Sequence, residues 1–192
     1  MSFLLNTGLY IFVGVLLIFL ISAGKNNSFI NITSIFSGYF TAFEGNRIRL
    51  AIFYISPIII SFGIANYRMI SKEILDNINI VITIFLSIFF VMIDLIENKT
   101  IGQTKEYNDV TNHCKQDIEK TKKETIDIIL VDSIYSVLYL FISFSIQFIG
   151  TNNKELNVLL YIISIIIYSI VLIVVIHLLV ILKRFRIILN YQ

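Results

Sequence analysis

The sequence predicts an all-α integral membrane protein, organised as a polytopic helical bundle of four to five spans. Of its 192 residues, 57% are hydrophobic, whereas a soluble domain is nearer about 45–50% apolar, and its mean hydropathy is +0.85. The stretch 156–182 carries no charge and exceeds the roughly 20 residues that cross a bilayer core as a helix. Such spans use most of the chain and leave little sequence for a separate soluble domain.

Five apolar segments predict the spans, at 3–23, 50–66, 78–93, 128–149 and 156–182. The first lacks the basic start and the small-residue cleavage site of a signal peptide, so we expect a retained helix. The second and third are the shortest. A four-span arrangement, in which one of these two is tilted or re-entrant, therefore stays open.

The distribution of Lys and Arg predicts the orientation. With five spans, 12 of the 15 basic residues fall in the segments 24–49, 94–127 and 183–192. Basic loops stay on the cytoplasmic side, so we expect the N-terminus outside and the C-terminus in the cytoplasm. The single Cys114 excludes an internal disulfide, and the abundance of Ile, Asn and Lys favours a bacterial inner membrane.

The segment 26–49, between the first two spans, has the pattern of an amphipathic helix. Its apolar and polar residues separate onto opposite faces at helical spacing: Phe29, Ile32, Phe36, Tyr39 and Phe43 against Ser34, Ser37, Thr41 and Glu44. We predict a helix lying in the membrane interface and ended by Gly45-Asn46. The alternative is a helix packed on the spanning bundle.

The segment 97–127 is the most polar in the chain and is predicted to be a cytoplasmic helical connector that continues into the fourth span. A narrow apolar stripe recurs along it, formed by Tyr107, Val110, Cys114 and Ile118. Such a stripe cannot form its own core, so we expect it to dock a second copy, the amphipathic helix or a soluble cytoplasmic effector. The alternative is a solvated charged hairpin.

Two spans carry stripes of polar residues at helical spacing. The fourth has Asp132, Ser136, Tyr139, Ser143 and Gln147, and the third has Asp76, Asn79, Thr83, Ser87 and Asp94. Because polar groups facing lipid would be unsatisfied, both stripes should point into the bundle, an oligomer seam or water. They are expected either to hold helices together or to form a polar pathway.

Asp132 and His177 are the most informative ionisable residues within the spans. A carboxylate at the depth of Asp132 is costly unless it is paired, hydrated or protonated. His177 lies at a similar depth, because the fourth and fifth spans run antiparallel. Their matched depth suggests that the two side chains pair.

No pattern in the sequence indicates an enzyme. It has no zinc-ligand spacing, phosphate-binding loop or nucleophile motif, so we predict no catalytic residue, metal or cofactor. The net charge of +2 is too small to imply nucleic acid binding. The basic tail of Lys183, Arg184 and Arg186 is expected to contact anionic lipid headgroups.

The overall plan resembles the membrane subunit (KwaA) of the bacterial Kiwa antiphage defence system. The resemblance rests on small size, several spans, the charged connector 97–127 and the terminal sequence Leu182-Lys183-Arg184-Phe185-Arg186. It implies about four spans and a membrane oligomer that senses infection at the envelope. It also implies a cytoplasmic nucleic-acid-binding partner subunit, and no residue roles follow from it.

Two function hypotheses follow. The first is a non-enzymatic membrane sensor or scaffold that forms a homo-oligomer through the polar faces of spans three and four and anchors a soluble effector on 97–127. The second is a small channel or holin-like pore lined by the polar face of the fourth span, with Asp94 and Asp132 near its inner mouth.

Overall fold

The computed structural model describes residues 32–43, 47–98, 110–147 and 154–190, together with the isolated positions 10, 13, 14 and 17. Within these residues the chain forms five helices and no strand: α1 Ile32–Thr41, α2 Arg47–Tyr67, α3 Lys72–Asn98, α4 Val110–Gln147 and α5 Lys154–Asn190. Helices α2 to α5 each contain a stretch long and apolar enough to cross a membrane. The predicted all-α membrane bundle is confirmed. The first predicted span, 3–23, lies almost entirely outside the described residues.

The second and third apolar segments lie inside longer helices. Segment 50–66 is part of α2, with 21 residues, and segment 78–93 is part of α3, with 27 residues. The extra length of α3 comes from polar ends, which extend a helix without adding hydropathy. At the helical rise α2 is about 31 Å long and α3 about 40 Å, so both helices are long enough to cross a bilayer core of about 30 Å.

The connector and the fourth span form one continuous helix. α4 contains 38 residues, is about 57 Å long and has neither Gly nor Pro to interrupt it. The predicted continuity holds over 110–127, and a hairpin there is excluded, while 99–109 lies outside the described residues. α5 has 37 residues, so α4 and α5 both extend well beyond a bilayer core.

The helices pack in the order α2, α5, α4, α3, and α1 lies on α4. Two apolar clusters form the interior. One lies at the turn between α2 and α3, here called the turn end, and contains Ala65, Ile70, Leu75, Ile82, Tyr139, Ile146, Ile167 and Tyr168. The other lies toward the extensions of α4 and α5, here called the connector end, and contains Tyr39, Phe89, Met92, Ile96, Ile128, Ile129, Val131, Val174, Ile181 and Ile188.

Polar groups on α5 satisfy the backbone of the α2–α3 turn. The Ile70 amide donates to Ser164 Oγ at 3.0 Å, and the Tyr168 hydroxyl donates to the Arg68 carbonyl at 3.1 Å. The Tyr161 hydroxyl donates to Asn66 Oδ1 at 2.8 Å. Because a turn without secondary structure has amide and carbonyl groups to satisfy, these contacts fix the turn against α5.

The amphipathic helix α1 packs on the spanning helices, which is the alternative to the interfacial position predicted from its sequence. Ile32 and Tyr39 of its apolar face are buried, and the Phe36 ring contacts the Tyr135 ring with centroids 6.2 Å apart. Ser37 and Thr41 of the opposite face are exposed. The sequence pattern predicted which face is apolar, but the same face can be covered by lipid or by protein.

Gly38 allows α1 to approach α4 closely, and replacing it tests the contact. A Cβ at this position would clash with the Asp127 carboxyl group. A Gly to Ala change within a helix normally stabilises by about 1 kcal/mol, but overpacking costs about 1–3 kcal/mol. Because the Asp127 side chain must turn away, we expect Gly38→Ala to gain less free energy of unfolding than an alanine at an open helical position, as measured by SDS titration in mild detergent.

Gly63→Ala is the matched control for that experiment. Gly63 lies in α2, and a Cβ there would have no neighbour within 4 Å. The Gly63 variant should therefore be neutral or stabilised. Equal effects of the two substitutions would contradict the close approach of α1 to α4.

Candidate functional site

A buried contact between a carboxyl group and an imidazole joins α4 and α5 toward the connector end of the bundle. His177 Nδ1 lies 2.6 Å from Asp132 Oδ1, and both side chains are fully buried. The pairing expected from their matched depth is therefore present. The direction of this hydrogen bond depends on where the proton resides: Nδ1–H donates to an ionised carboxylate, whereas a protonated carboxyl group donates to an unprotonated Nδ1.

Tyr39 of α1 completes a three-residue hydrogen-bonded network. Its hydroxyl lies 3.0 Å from His177 Nε2, and the ring centroids of Tyr39 and His177 are 5.5 Å apart. Burial raises the pKa of the Tyr39 phenol well above its ordinary value, so the hydroxyl keeps its proton. It can donate to Nε2 of a neutral imidazole or accept from Nε2–H of an imidazolium.

Two further tyrosines surround this network, which we call the Asp132–His177–Tyr39 network. The Tyr54 ring of α2 lies against the Tyr39 ring with centroids 6.5 Å apart, and the Tyr54 hydroxyl lies 3.1 Å from the Tyr135 hydroxyl of α4. The network therefore contacts α1, α2, α4 and α5. Such a connected set of hydroxyl, imidazole and carboxyl groups can hold a proton and redistribute its hydrogen bonds without exposure to water.

Sequence reasoning found two members of the network and missed the third. Asp132 and His177 were detectable because ionisable side chains are rare within apolar spans. Tyr39 was assigned to the apolar face of α1, and Tyr is common on the apolar faces of interfacial helices. The Tyr39 hydroxyl was the feature that could have indicated a place in the network, since a buried Tyr hydroxyl usually has a hydrogen-bond partner.

The polar stripe of α4 lies mostly inside a single chain. Asp132, Ser136, Tyr139 and Ser143 are buried, and Gln147 is exposed. The Tyr139 hydroxyl donates to the Leu75 carbonyl of α3 at 3.4 Å. The stripe therefore faces the neighbouring helices of its own chain, and a lumen shared between copies would require α4 to separate from them.

The polar stripe of α3 faces away from the interior of its own chain, which leaves an oligomer seam or water among the surroundings predicted for it. Thr83, Ser87 and Asp94 are exposed. Thr83 Oγ1 donates to the Asn79 carbonyl at 2.8 Å, and Ser87 Oγ donates to the Thr83 carbonyl at 3.0 Å. These local bonds satisfy the hydroxyls without a second helix, which explains how the stripe remains at the surface.

The predicted docking stripe of the connector is described only in part. Tyr107 and the side chains of Val110 and Cys114 lie outside the described residues. Ile118 is only 6% exposed, so in a single chain it is covered by the chain's own residues, and its contact with a partner stays a prediction. The exposed surface beside it consists of polar residues, namely Gln116, Asp117, Glu119 and Lys120.

The three basic residues of the tail lie in two environments, one in contact with protein and two exposed. Arg184 Nη1 donates to Glu124 Oε2 at 2.7 Å, and this contact joins the extensions of α5 and α4. Lys183 and Arg186 are exposed. The headgroup role predicted for all three residues therefore fits the exposure of Lys183 and Arg186, while Arg184 binds within the chain.

No group of three or more His, Cys, Asp or Glu positioned to hold a metal occurs in the part of the chain that the structure describes. The geometry instead brings one carboxyl, one imidazole and one phenol together in the interior of a membrane bundle. Comparison of the chain with protein-family models, with curated proteins and with solved structures returned no match.

Proposed function

We propose that this protein is a non-enzymatic sensor and scaffold subunit of a bacterial inner membrane. In this proposal α1 is the sensing element, and the cytoplasmic extension of α4 holds a soluble effector. The observation that carries the proposal is that the Asp132–His177–Tyr39 network joins α1 to α4 within the membrane. α4 then continues without a break to Val110.

The attachment of α1 supports a sensing role. α1 is a short helix of ten residues, too short to be stable by itself in water. Its docked position depends on buried apolar contacts and on the Tyr39–His177 hydrogen bond. A change in the surrounding bilayer would alter the balance between this docked position and an interfacial one, because lipid can cover the same apolar face.

The unbroken length of α4 supports communication between the membrane and the cytoplasm. Asp132 lies 22 positions from Val110 in the same helix, which is a distance of about 33 Å. Lys122 Nζ contacts the Glu97 carbonyl at 3.2 Å, and Glu124 binds Arg184. The extension is therefore braced against α3 and α5, and a movement of α4 at Asp132 would be transmitted to its exposed cytoplasmic surface.

The outward polar stripe of α3 supports assembly of several copies. Thr83 and Ser87 allow close approach between helices, and their exposure leaves this face available to a second copy. We propose a homo-oligomer formed through α3. Antiphage defence, implied by the resemblance to the Kiwa membrane subunit, is the biological setting that we propose for it.

Charge reversal on the α4 extension tests the scaffold function. Asp117 and Glu119 are exposed, so the double variant Asp117→Lys/Glu119→Lys should insert and fold normally. We expect affinity purification in mild detergent from the native host to recover a stoichiometric soluble protein with the wild type. Recovery with the double variant should fall at least about tenfold, because like-charge contacts at an interface cost several kcal/mol.

Glu73→Lys is the matched control because Glu73 is equally a surface carboxylate, with 80% of its side chain exposed at the turn end. It should leave recovery unchanged. Recovery of the partner at the wild-type level by the double variant would contradict docking on α4. Purification of a homo-oligomer without any stoichiometric partner would contradict the scaffold function itself.

A further inference from the structure

A polar groove separates α1 from α4 at the membrane surface of the connector end. It is lined by Ser34, Ile35, Ser37, Gly38 and Thr41 of α1 and by Lys123 and Asp127 of α4. The absence of a side chain at Gly38 leaves room for the Asp127 carboxyl group against α1. Residues 128–149 begin the apolar part of α4 immediately after Asp127, so the groove lies at the depth of lipid headgroups.

The groove presents one positive and one negative charge beside hydroxyl groups. Lys123 and Asp127 are spaced i, i+4 and therefore lie one above the other on the same face of α4. Thr41 Oγ1 donates its proton to the Ser37 carbonyl at 2.8 Å, which leaves the lone pairs of the oxygen able to accept. A ligand with one phosphate and one primary ammonium group would complement these charges.

We propose that this groove binds the zwitterionic headgroup of a primary-amine phospholipid, with phosphatidylethanolamine as the representative lipid. The phosphate contacts Lys123 as a charge-assisted partner, and the ammonium group donates to Asp127 and Thr41. Ile35 lies at the edge of the groove, where it contacts the first part of an acyl chain.

The arrangement favours an amine headgroup over two common alternatives. Phosphatidylcholine has the same charges, but its trimethylammonium group has no N–H to donate to a carboxylate. Phosphatidylglycerol has no positive charge, so its phosphate would lie near Asp127 without compensation. The distinguishing residue is therefore Asp127, while Lys123 contributes to binding of any phosphate.

Native mass spectrometry of the full-length protein in mild detergent tests the site. We expect palmitoyl-oleoyl phosphatidylethanolamine to bind roughly tenfold more tightly than the choline lipid, as for one hydrogen bond to a charged group. Asp127→Asn should remove this preference. Lys123→Gln should weaken binding of both lipids roughly threefold to tenfold, in keeping with an exposed charge.

Asp94→Asn and Lys183→Gln are the controls, since both residues are exposed charges at the connector end but outside the groove. Neither should change the preference. Lys123 is exposed, so its variant tests the groove even if Asp127→Asn disturbs the packing against Gly38. Equal binding of the amine and choline lipids by the wild type would overturn the proposal, as would a preference that survives Asp127→Asn.

A soluble competitor distinguishes a lipid from a free phosphorylated amine. O-phosphoethanolamine carries the same two charges without acyl chains, and we expect it not to displace the bound lipid at millimolar concentration. Displacement would overturn the assignment to a lipid. The assay contains no partner protein, so its outcome is independent of the proposed sensor and scaffold function.

Discussion

His177→Ala is expected to lower the free energy of unfolding by about 3–5 kcal/mol, because it leaves the buried Asp132 carboxyl group without its partner. The two side chains are fully buried and 2.6 Å apart, so bulk solvent does not reach the carboxyl group in the wild type. The measurement is SDS titration of the protein in mild detergent, followed by circular dichroism. This is the largest effect that we expect from removing a single polar side chain.

A double-mutant cycle separates the free energy contributed by the Asp132–His177 contact from the effect of the lost side-chain volume. Asp132→Asn alone should also destabilise, but in the His177→Ala background it should cost little or even restore stability, since no unpaired charge remains. A coupling free energy above about 1 kcal/mol supports the pair. Additive effects of the two substitutions would show that the contact between Asp132 and His177 does not contribute to stability.

Tyr39→Ala is expected to release α1 from the bundle. Tyr39 is fully buried, and its ring contacts those of Phe43, Tyr54 and His177 at centroid distances of 5.1 Å, 6.5 Å and 5.5 Å. Removing a buried aromatic side chain typically costs about 3–5 kcal/mol. We expect faster hydrogen exchange over 32–43, measured by mass spectrometry in lipid nanodiscs.

Two variants define what the Tyr39 result means. Tyr39→Phe keeps the ring and removes only the hydroxyl, so it should cost about 1–3 kcal/mol, as for an unsatisfied buried imidazole nitrogen. Phe40→Ala changes the adjacent aromatic residue, which is 49% exposed, and should leave exchange over 32–43 near the wild-type rate. Protection of 32–43 that is unchanged in Tyr39→Ala would contradict the docked position of α1.

The elements of the bundle were more predictable than their arrangement. Hydropathy located the segments that became α2 to α5, because a spanning helix must satisfy its backbone internally and cover itself with apolar side chains. The ends of α3 could not be predicted in this way, since Lys72 and Asp94 extend the helix while lowering its hydropathy. Hydropathy also could not predict that α1 docks on the bundle, because amphipathicity identifies an apolar face and not what covers it.

In the candidate site, too, the positions along the helices were more predictable than the directions in which the side chains face. The depth of Asp132 and His177 followed from their positions along two antiparallel helices, and that matched depth suggested the pairing that the structure contains. Helix rotation does not follow from depth. The sequence therefore allowed the stripe containing Thr83 and Ser87 to face the bundle, an oligomer seam or water. It faces outward, and hydrogen bonds to carbonyls one turn earlier satisfy those hydroxyls.

The contacts between α5 and the α2–α3 turn have a consequence for the order of assembly. Translation produces α2, the turn and α3 long before Ser164 and Tyr168, which satisfy the backbone of that turn. The helical hairpin must therefore enter the membrane with its turn still hydrated. It acquires its final contacts only when the last helix arrives, so completion of the C-terminal span is the step that commits the first half of the bundle to its native packing.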